Sequence, residues 1–267
     1  MTFTASLLWL LPVIIGISKV NWQELPRGFY YFAIGSILCE VLYFTGLANA
    51  YKRSDISLAY PMVRALPVLF TAILATVFSL GSKALSPISM AGMLLIFTGC
   101  FIMPLKKFSE LKLSTYLSFQ FIFIVLGALG TTGYTICDSL ALEKLKLCYN
   151  AADKVLISCM YLGMLEFGIA VSLLLITPFI KDERYELKHT FFRTYVPSLA
   201  SVFSSSAYGI ILLAMPMVTN VSLVQAFRQI SLPICAVAGV ILLHEKMTLP
   251  RTIGLLLIVS GLILSIY

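Results

Sequence analysis

Long apolar segments follow one another along this chain, separated by short polar breaks. A helix that crosses a lipid bilayer needs ~20 mostly apolar residues, because lipid offers no partner for exposed backbone groups. The pattern therefore predicts an all-α integral membrane protein with about nine transmembrane helices and no soluble domain. The predicted spans are 2–18, 28–51, 56–80, 85–105, 113–142, 155–180, 191–216, 221–243 and 248–267.

The composition fits a chain whose solvent is lipid. Hydrophobic residues make up 60% of the 267 residues and charged residues 12%, whereas a soluble domain carries about 25% charged residues. The net charge of +7 comes from Lys and Arg residues that lie mostly between the apolar runs, where basic residues flank membrane spans. We therefore expect the lipid bilayer, and not a nucleic acid, as the surrounding partner.

Motifs of the common enzyme classes are absent from the sequence. There is no HExxH, no GxxxxGK[ST] and no GxSxG, so metal hydrolysis, P-loop nucleotide chemistry and hydrolase chemistry lack their residues. The two histidines, His189 and His244, lie far apart in loops, and the six cysteines form no CxxC. We interpret the cysteines as small buried hydrophobic residues, and predict no catalytic activity, no metal site and no bound cofactor.

Ionisable residues inside the predicted spans are the candidate functional residues. Charged side chains at membrane depth are costly and usually face the interior of the bundle or a wet cavity. Glu40 and Arg64 lie equally far from the turn near Lys52, so they should sit at matched depth, either as a structural ion pair or as functional groups. Glu40, Asp138 and Glu166 are also candidates for proton coupling. The full set is Glu40, Arg64, Asp138, Glu166 and Arg228.

Arg228 is the strongest candidate for a substrate ligand. The same hairpin construction places it level with Ser204–Ser206, which bring hydroxyl groups but no acid. Its guanidinium can hold a carboxylate or phosphate through two parallel hydrogen bonds. The alternatives are a structural pairing with Glu166 or Asp138, or a side chain that reaches toward the membrane interface.

Prolines accompany both arginines. Pro61 and Pro67 flank Arg64, and Pro233 follows Arg228. A proline inside a helix frees a carbonyl, which a membrane tolerates where the backbone lines a cavity, although a plain packing kink is the alternative. Further candidates for the substrate site, each equally an ordinary packing residue, are Tyr60, Tyr134 and Gln225.

The chain also contains an internal repeat. Equivalent residues recur in the same order at a nearly constant offset, which is the usual build of secondary transporters with a site near the midplane. We interpret 1–105 as a first repeat with four helices and 113–267 as a second repeat with five. The matches are Tyr43–Leu58 with Tyr208–Leu223, Arg64 and Pro67 with Arg228 and Pro233, Gly92 and Gly99 with Gly254 and Gly261, and Ser6–Leu8 and Pro12 with Ser172–Leu174 and Pro178.

These segments resemble the EamA-type families of the drug/metabolite transporter superfamily. Those families show an apolar helix with a proline near its middle, a short polar turn with an acid, and a last helix that bears glycines. The turn reads Leu243-His244-Glu245-Lys246 in the second repeat and Gly81-Ser82-Lys83, without the acid, in the first. The resemblance implies ten helices as two inverted repeats.

Against that pattern, the first helix is missing from this sequence. We expect either a coding frame that extends upstream of Met1 by one further span or a truncated member of the family.

We interpret the chain as a secondary, non-ATP transporter that moves a small polar or amphiphilic metabolite by alternating access, with export as one option. The expected location is the cell (inner) membrane. The competing interpretation is a non-transporting membrane protein, such as a truncated paralogue or an assembly partner. An intramembrane enzyme ranks third, because no nucleophile–base or metal constellation is visible in the sequence.

Overall fold

The computed structural model describes residues 2–53, 56–105, 107–110, 121–177, 195–244 and 247–267, without the side chains of 56–60, 110 and 243. Among these residues the structure is helical, with no strand. The α-helices are α1 Thr2–Leu8, α2 Leu10–Ile17, α3 Arg27–Arg53, α4 Ile56–Val77, α5 Pro87–Ile102, α6 Phe121–Leu145, α7 Lys154–Ile176, α8 Val196–Ala214, α9 Val221–Phe227, α10 Ser231–Leu243 and α11 Leu249–Leu264.

Five helical segments are long and apolar enough to cross a membrane, by length and composition. This confirms the prediction of an all-α membrane protein, whereas the count of nine spans stays a prediction. Shorter apolar helices occupy Pro61–Val77, Pro87–Ile102 and Leu249–Leu264. The first predicted span is two short helices that meet at Trp9. The five long segments are Arg27–Arg53, Phe121–Cys148, Ala151–Ile176, Val196–Met217 and Val221–Leu242.

Large apolar side chains cover much of the surface. Leu38 on α3, Phe203 on α8 and Leu256 on α11 are each more than 60% exposed. A soluble monomer rarely leaves such residues in contiguous patches, but a lipid-facing helix has no reason to bury them. The surface therefore agrees with the span assignment.

The described chain forms two compact units. The first unit comprises Met1–Val41 and Cys137–Met217, and the second comprises Leu42–Ile136 and Val218–Tyr267. Helices α3 and α6 each contribute to both units, because the divisions fall between Val41 and Leu42 and between Ile136 and Cys137. Each unit thus takes helices from both predicted repeats: α1, α2, α7 and α8 lie in the first unit, and α4, α5, α9, α10 and α11 lie in the second. The repeat boundaries themselves stay a prediction.

In the second unit, α5 and α11 pack backbone against backbone. A Cβ added at Gly92 would lie 2.7 Å from the carbonyl oxygen of Gly261, and one added at Gly99 would lie 2.6 Å from that of Gly254. In the other direction, a Cβ added at Gly261 would lie 2.5 Å from the Gly92 oxygen, and one added at Gly254 would lie 2.7 Å from the Gly99 oxygen. Because residue numbers rise on one helix as they fall on the other, the two helices are antiparallel. The contact joins equivalent helices of the two predicted repeats, with Gly92 against Gly261 and Gly99 against Gly254.

Helix α4 packs antiparallel to α9, again between repeat equivalents. Ser222 Oγ donates to the carbonyl of Thr71 at 3.2 Å. Asn220 accepts from the N–H of Ser222 at 3.0 Å, which caps α9, and its amide donates to the carbonyl of Leu80 at 2.9 Å. This asparagine therefore ties the start of α9 to the turn after α4 and fixes how the two helices cross.

In the first unit, α2 packs antiparallel to α7. A Cβ at Gly16 would lie 2.7 Å from the Cβ of Met160, and one at Gly163 would meet Cγ2 of Val13. Helix α8 joins them through Trp9, whose indole N–H donates to Ser205 Oγ at 2.6 Å. Glycine thus allows close helix contact here as well, but the neighbours it meets are chiefly side chains.

Candidate functional site

The long apolar segment that carries Arg228 is interrupted at that residue. Helix α9 ends at Phe227, a 3₁₀ turn occupies Arg228–Ile230, and α10 begins at Ser231. Pro233 lacks a backbone N–H, so it offers the carbonyl of Gln229, four residues earlier, no helical donor. A 3₁₀ stretch within a longer helix often marks a hinge or a functional position. The predicted effect of Pro233 is thus visible as a change of helix type.

The two arginines of the predicted repeat meet at this interruption. Arg64 Nη2 donates to the carbonyl oxygen of Arg228 at 3.0 Å. Ser231 Oγ donates to the same oxygen, also at 3.0 Å. The freed backbone of the interrupted segment is therefore satisfied by side chains, one of them from α4.

Arg228 itself reaches two of the predicted site residues. Nη2 donates to the hydroxyl of Tyr134 at 3.0 Å, and Nη1 donates to Gln225 Oε1 at 3.2 Å. Tyr134 is 4% exposed and Gln225 is 1% exposed. These two neutral oxygens orient the guanidinium. The structure brings Arg64, Arg228, Tyr134 and Gln225 together in the second unit, and the side chain of Tyr60 lies outside the described residues.

Gln229 belongs to the same cluster and was missed by sequence reasoning. Its Nε2 donates to the carbonyl of Arg64 at 3.2 Å and to that of Gln225 at 3.3 Å. Its Oε1 is buried and meets no hydrogen-bond donor within the described part of the chain. Its place directly after Arg228 and before a proline was the one available signal, but a single glutamine in an apolar run does not reveal which way its amide points.

The predicted acid Asp138 lies in the first unit and is fully buried. Tyr161 donates its hydroxyl to Oδ1 at 2.7 Å, and Tyr208 donates to Oδ2. Each carboxylate oxygen thus receives a tyrosine hydroxyl. Neither tyrosine was predicted as a functional residue, because a tyrosine within an apolar run is far more often simple packing.

Glu166 also lies in the first unit, within a different network. Its carboxyl is hydrogen-bonded to Ser205, whose hydroxyl accepts from the indole of Trp9. Glu40 is buried on α3 in the same unit. Arg64 belongs to the second unit, so the predicted Glu40–Arg64 ion pair stays a prediction, as does the alternative pairing of Arg228 with Glu166 or Asp138.

Together, the fold and these clusters define a helical protein with membrane-length apolar segments, several of which carry charged side chains. Among the described residues, no group of three or more His, Cys, Asp or Glu side chains is placed to hold a metal ion. No model of a known protein family matches this chain, and no curated protein matches it either.

Proposed function

We propose that the protein is a secondary transporter in the cell (inner) membrane, and that Arg228 and Arg64 bind an anionic group of a small polar or amphiphilic metabolite. The observation that carries this proposal is the interruption of the Val221–Leu242 segment at Arg228. Discontinuous helices whose backbone lies at membrane depth are typical of transporter binding sites. Such interruptions are tolerated where the backbone is buried in protein or lines a cavity.

The anionic character of the substrate follows from the partners of Arg228. A carboxylate or phosphate that replaces the Tyr134 hydroxyl or the Gln225 amide oxygen turns a neutral-acceptor hydrogen bond into one between two ions. Hydrogen bonds that involve ionised groups are shorter and roughly twice as strong as neutral ones. The guanidinium, which can hold a carboxylate or phosphate through two parallel hydrogen bonds, is therefore suited to an anionic group.

Gln229 adds a second requirement on the substrate. Its buried Oε1 can accept a hydrogen bond, and a buried acceptor left without a donor costs about 1–3 kcal/mol. A substrate with an amino or hydroxyl group beside its anionic group supplies that donor. Amino acids and hydroxy acids are accordingly the favoured members of the substrate class.

The packing of repeat-equivalent helices supports two inverted repeats of the EamA type. Helices α4 and α9, and helices α5 and α11, are antiparallel pairs of predicted repeat equivalents, and the antiparallel α2 and α7 also pair one predicted repeat with the other. Antiparallel contact between equivalents is what a two-fold axis in the membrane plane produces. We propose ten helices as the parent architecture, with nine of them represented in this sequence, and alternating access between the two halves as the mechanism.

Uptake into proteoliposomes tests the proposal directly. The purified protein is reconstituted and offered amino acids, hydroxy acids, simple carboxylates and amines. We expect anions to be transported, Arg228→Gln to abolish transport, and Arg228→Lys to weaken it about tenfold, or ~1.4 kcal/mol, because lysine keeps the charge but loses the planar fork.

Arg27→Gln is the matched control. Arg27 is exposed at the start of α3, so its loss should leave transport unchanged. Normal transport by Arg228→Gln, or transport of cations alone, contradicts the assignment. A folded wild-type protein that carries none of these substrates favours the alternative of a non-transporting assembly partner or truncated paralogue.

A further inference from the structure

Two cysteine thiols of the first unit lie side by side. Cys39 on α3 and Cys137 on α6 are close enough for their thiols to interact. Gly35, one turn before Cys39 on α3, provides the space for this contact, since a Cβ at Gly35 would lie 3.3 Å from Cys137 Sγ. Both cysteines are half-buried. The pair therefore joins two helices that are distant in sequence.

The position of the pair along its helices is distinctive. Cys39 comes two residues before α3 leaves the first unit, and Cys137 is the residue at which α6 enters it. These two helices each contribute residues to both units. A conformational change in either unit therefore involves part of both helices. A covalent bond at this point would fix α3 to α6 where each crosses the division.

We propose that Cys39 and Cys137 are a modification site, at which a peroxide oxidant forms a reversible disulfide between α3 and α6. One thiol, as its thiolate, attacks the peroxide and becomes a sulfenic acid with release of the first water. The second thiol then attacks the sulfenic sulfur, the S–S bond forms, and the second water leaves. Two thiols are oxidised and one hydrogen peroxide is reduced to two water molecules, so atoms and electrons balance. A dithiol reductant reverses the step by thiol–disulfide exchange.

The other cysteines occupy different surroundings. Cys100 is fully buried in the apolar core of the second unit, beside Ile96 and Ile258. Cys148 donates to the carbonyl of Lys144, and Cys235 is exposed on α10. A disulfide needs two Sγ atoms brought together with Cα atoms no more than about 7 Å apart. The interpretation of all six cysteines as packing residues is therefore replaced, for this pair, by a chemical one.

The expected consequence of the disulfide is arrested transport, an expectation that rests on the proposed function. Transporters of this build work by rocking one bundle against another, and helices shared by both bundles have to bend or slide. A bond between α3 and α6 removes that freedom. Reduction should restore it.

The crosslink is tested without any substrate. The full-length protein in detergent is treated with hydrogen peroxide and then denatured, and its thiols are counted with a maleimide. We expect two of the six cysteines to become unreactive, and peptide mapping to find the α3 peptide joined to the α6 peptide. Cys39→Ser and Cys137→Ser should each abolish the crosslink, and Cys159→Ser, another half-buried cysteine of the first unit, should not.

Three results would contradict the proposed modification site. They are an unchanged thiol count, a crosslink joining other cysteines or two chains, and a crosslink that survives Cys39→Ser. A variant that keeps only Cys39 and Cys137 guards against misassignment.

Transport is then measured on the oxidised and the re-reduced protein. Loss of uptake on oxidation and recovery on reduction, both absent in Cys137→Ser, supports regulation. Uptake that continues through a complete crosslink overturns the regulatory part. A wild-type protein with no transport at all, but with the mapped crosslink, counts against the proposed function and leaves the modification site standing.

Discussion

The two compact units solve the same packing problem in different ways. In the second unit the glycines of α5 and α11 face each other's backbone, with carbonyl oxygens 2.5–2.7 Å from the positions a Cβ would take. In the first unit, a Cβ at Gly168 would meet only the side chain of Ile37. A side-chain tip can change rotamer, whereas a helix backbone moves only as a whole. The second unit is therefore the less adaptable of the two along this contact.

The units also carry opposite charges inside their helices. Asp138 and Glu166 in the first unit are held by hydroxyl groups, while Arg64 and Arg228 in the second are held by carbonyl, amide and phenol oxygens. Charge at membrane depth is costly whatever its sign. The comparison shows hydroxyl donors around the acids of the first unit and oxygen acceptors around the arginines of the second.

The largest expected effect is the loss of stability caused by a glycine substitution at the backbone contact of α5 and α11. Gly254→Ala places a methyl 2.7 Å from the Gly99 oxygen and 2.8 Å from Met103 Cα, so α5 and α11 must move apart. Overpacking of this kind costs about 1–3 kcal/mol, more than the ~1 kcal/mol that alanine gains over glycine within a helix. We expect a lower thermal unfolding midpoint in detergent.

Gly168→Ala in the first unit is the matched comparison. Rotation of Ile37 can relieve its contact, so the helix propensity of alanine should offset the strain and leave the midpoint nearly unchanged. Equal losses in the two variants would show that the backbone contact of α5 and α11 is no more restrictive than the side-chain contact in the first unit.

The next effect concerns the acid of the first unit. Tyr161→Phe removes one of the two hydroxyl groups that Asp138 accepts from, in a site where both residues are fully buried. A buried charged group that loses a partner costs about 1–3 kcal/mol. We expect Tyr161→Phe to lower the unfolding midpoint more than Tyr208→Phe does, since Tyr208 is only partly buried.

Tyr195→Phe serves as the control, because Tyr195 is 78% exposed. A Tyr161→Phe protein as stable as this control would mean that the hydroxyl contributes nothing to holding Asp138.

Sequence reasoning succeeded where the signal is a run or a spacing. Apolar runs located the helices, and the contact of α5 and α11 joins two segments that the predicted repeat matches to each other. The match there is closer than the glycines alone suggest, since 92–99 reads GMLLIFTG and 254–261 reads GLLLIVSG. In the structure, Ile96 and Ile258 occupy equivalent places in that contact.

Sequence reasoning was weaker where the outcome depends on which side chains converge. Pro61 and Pro67 lie within a continuous α4, while Pro233 follows a 3₁₀ interruption, so a proline alone does not predict where a helix is broken. The partners of Asp138 and the amide of Gln229 come from residues brought together by tertiary packing. Arg64 and Arg228 stand out in the sequence because charge within an apolar run is visible, whereas the convergence of the Tyr134 hydroxyl and the Gln225 amide on Arg228 is not.

The last comparison concerns two buried serines, one in each unit, and includes the smallest expected effect, that of Ser222→Ala. Ser222 Oγ in the second unit donates to the carbonyl of Thr71, so Ser222→Ala removes one helix-to-helix hydrogen bond, worth ~0.6 kcal/mol on average in membrane proteins. Ser205 in the first unit links the indole of Trp9 to the carboxyl of Glu166, so Ser205→Ala deprives a donor and an acid of the same partner. Leaving buried polar groups without a partner costs more than the lost bond itself, about 1–3 kcal/mol. We therefore expect Ser205→Ala to lower the unfolding midpoint further than Ser222→Ala, and Trp9→Phe combined with Ser205→Ala to cost less than the sum of the two single changes. Additive losses would show that Trp9, Ser205 and Glu166 do not act as one network. The Ser205 hydroxyl would then contribute to stability as an independent hydrogen bond, as the Ser222 hydroxyl does.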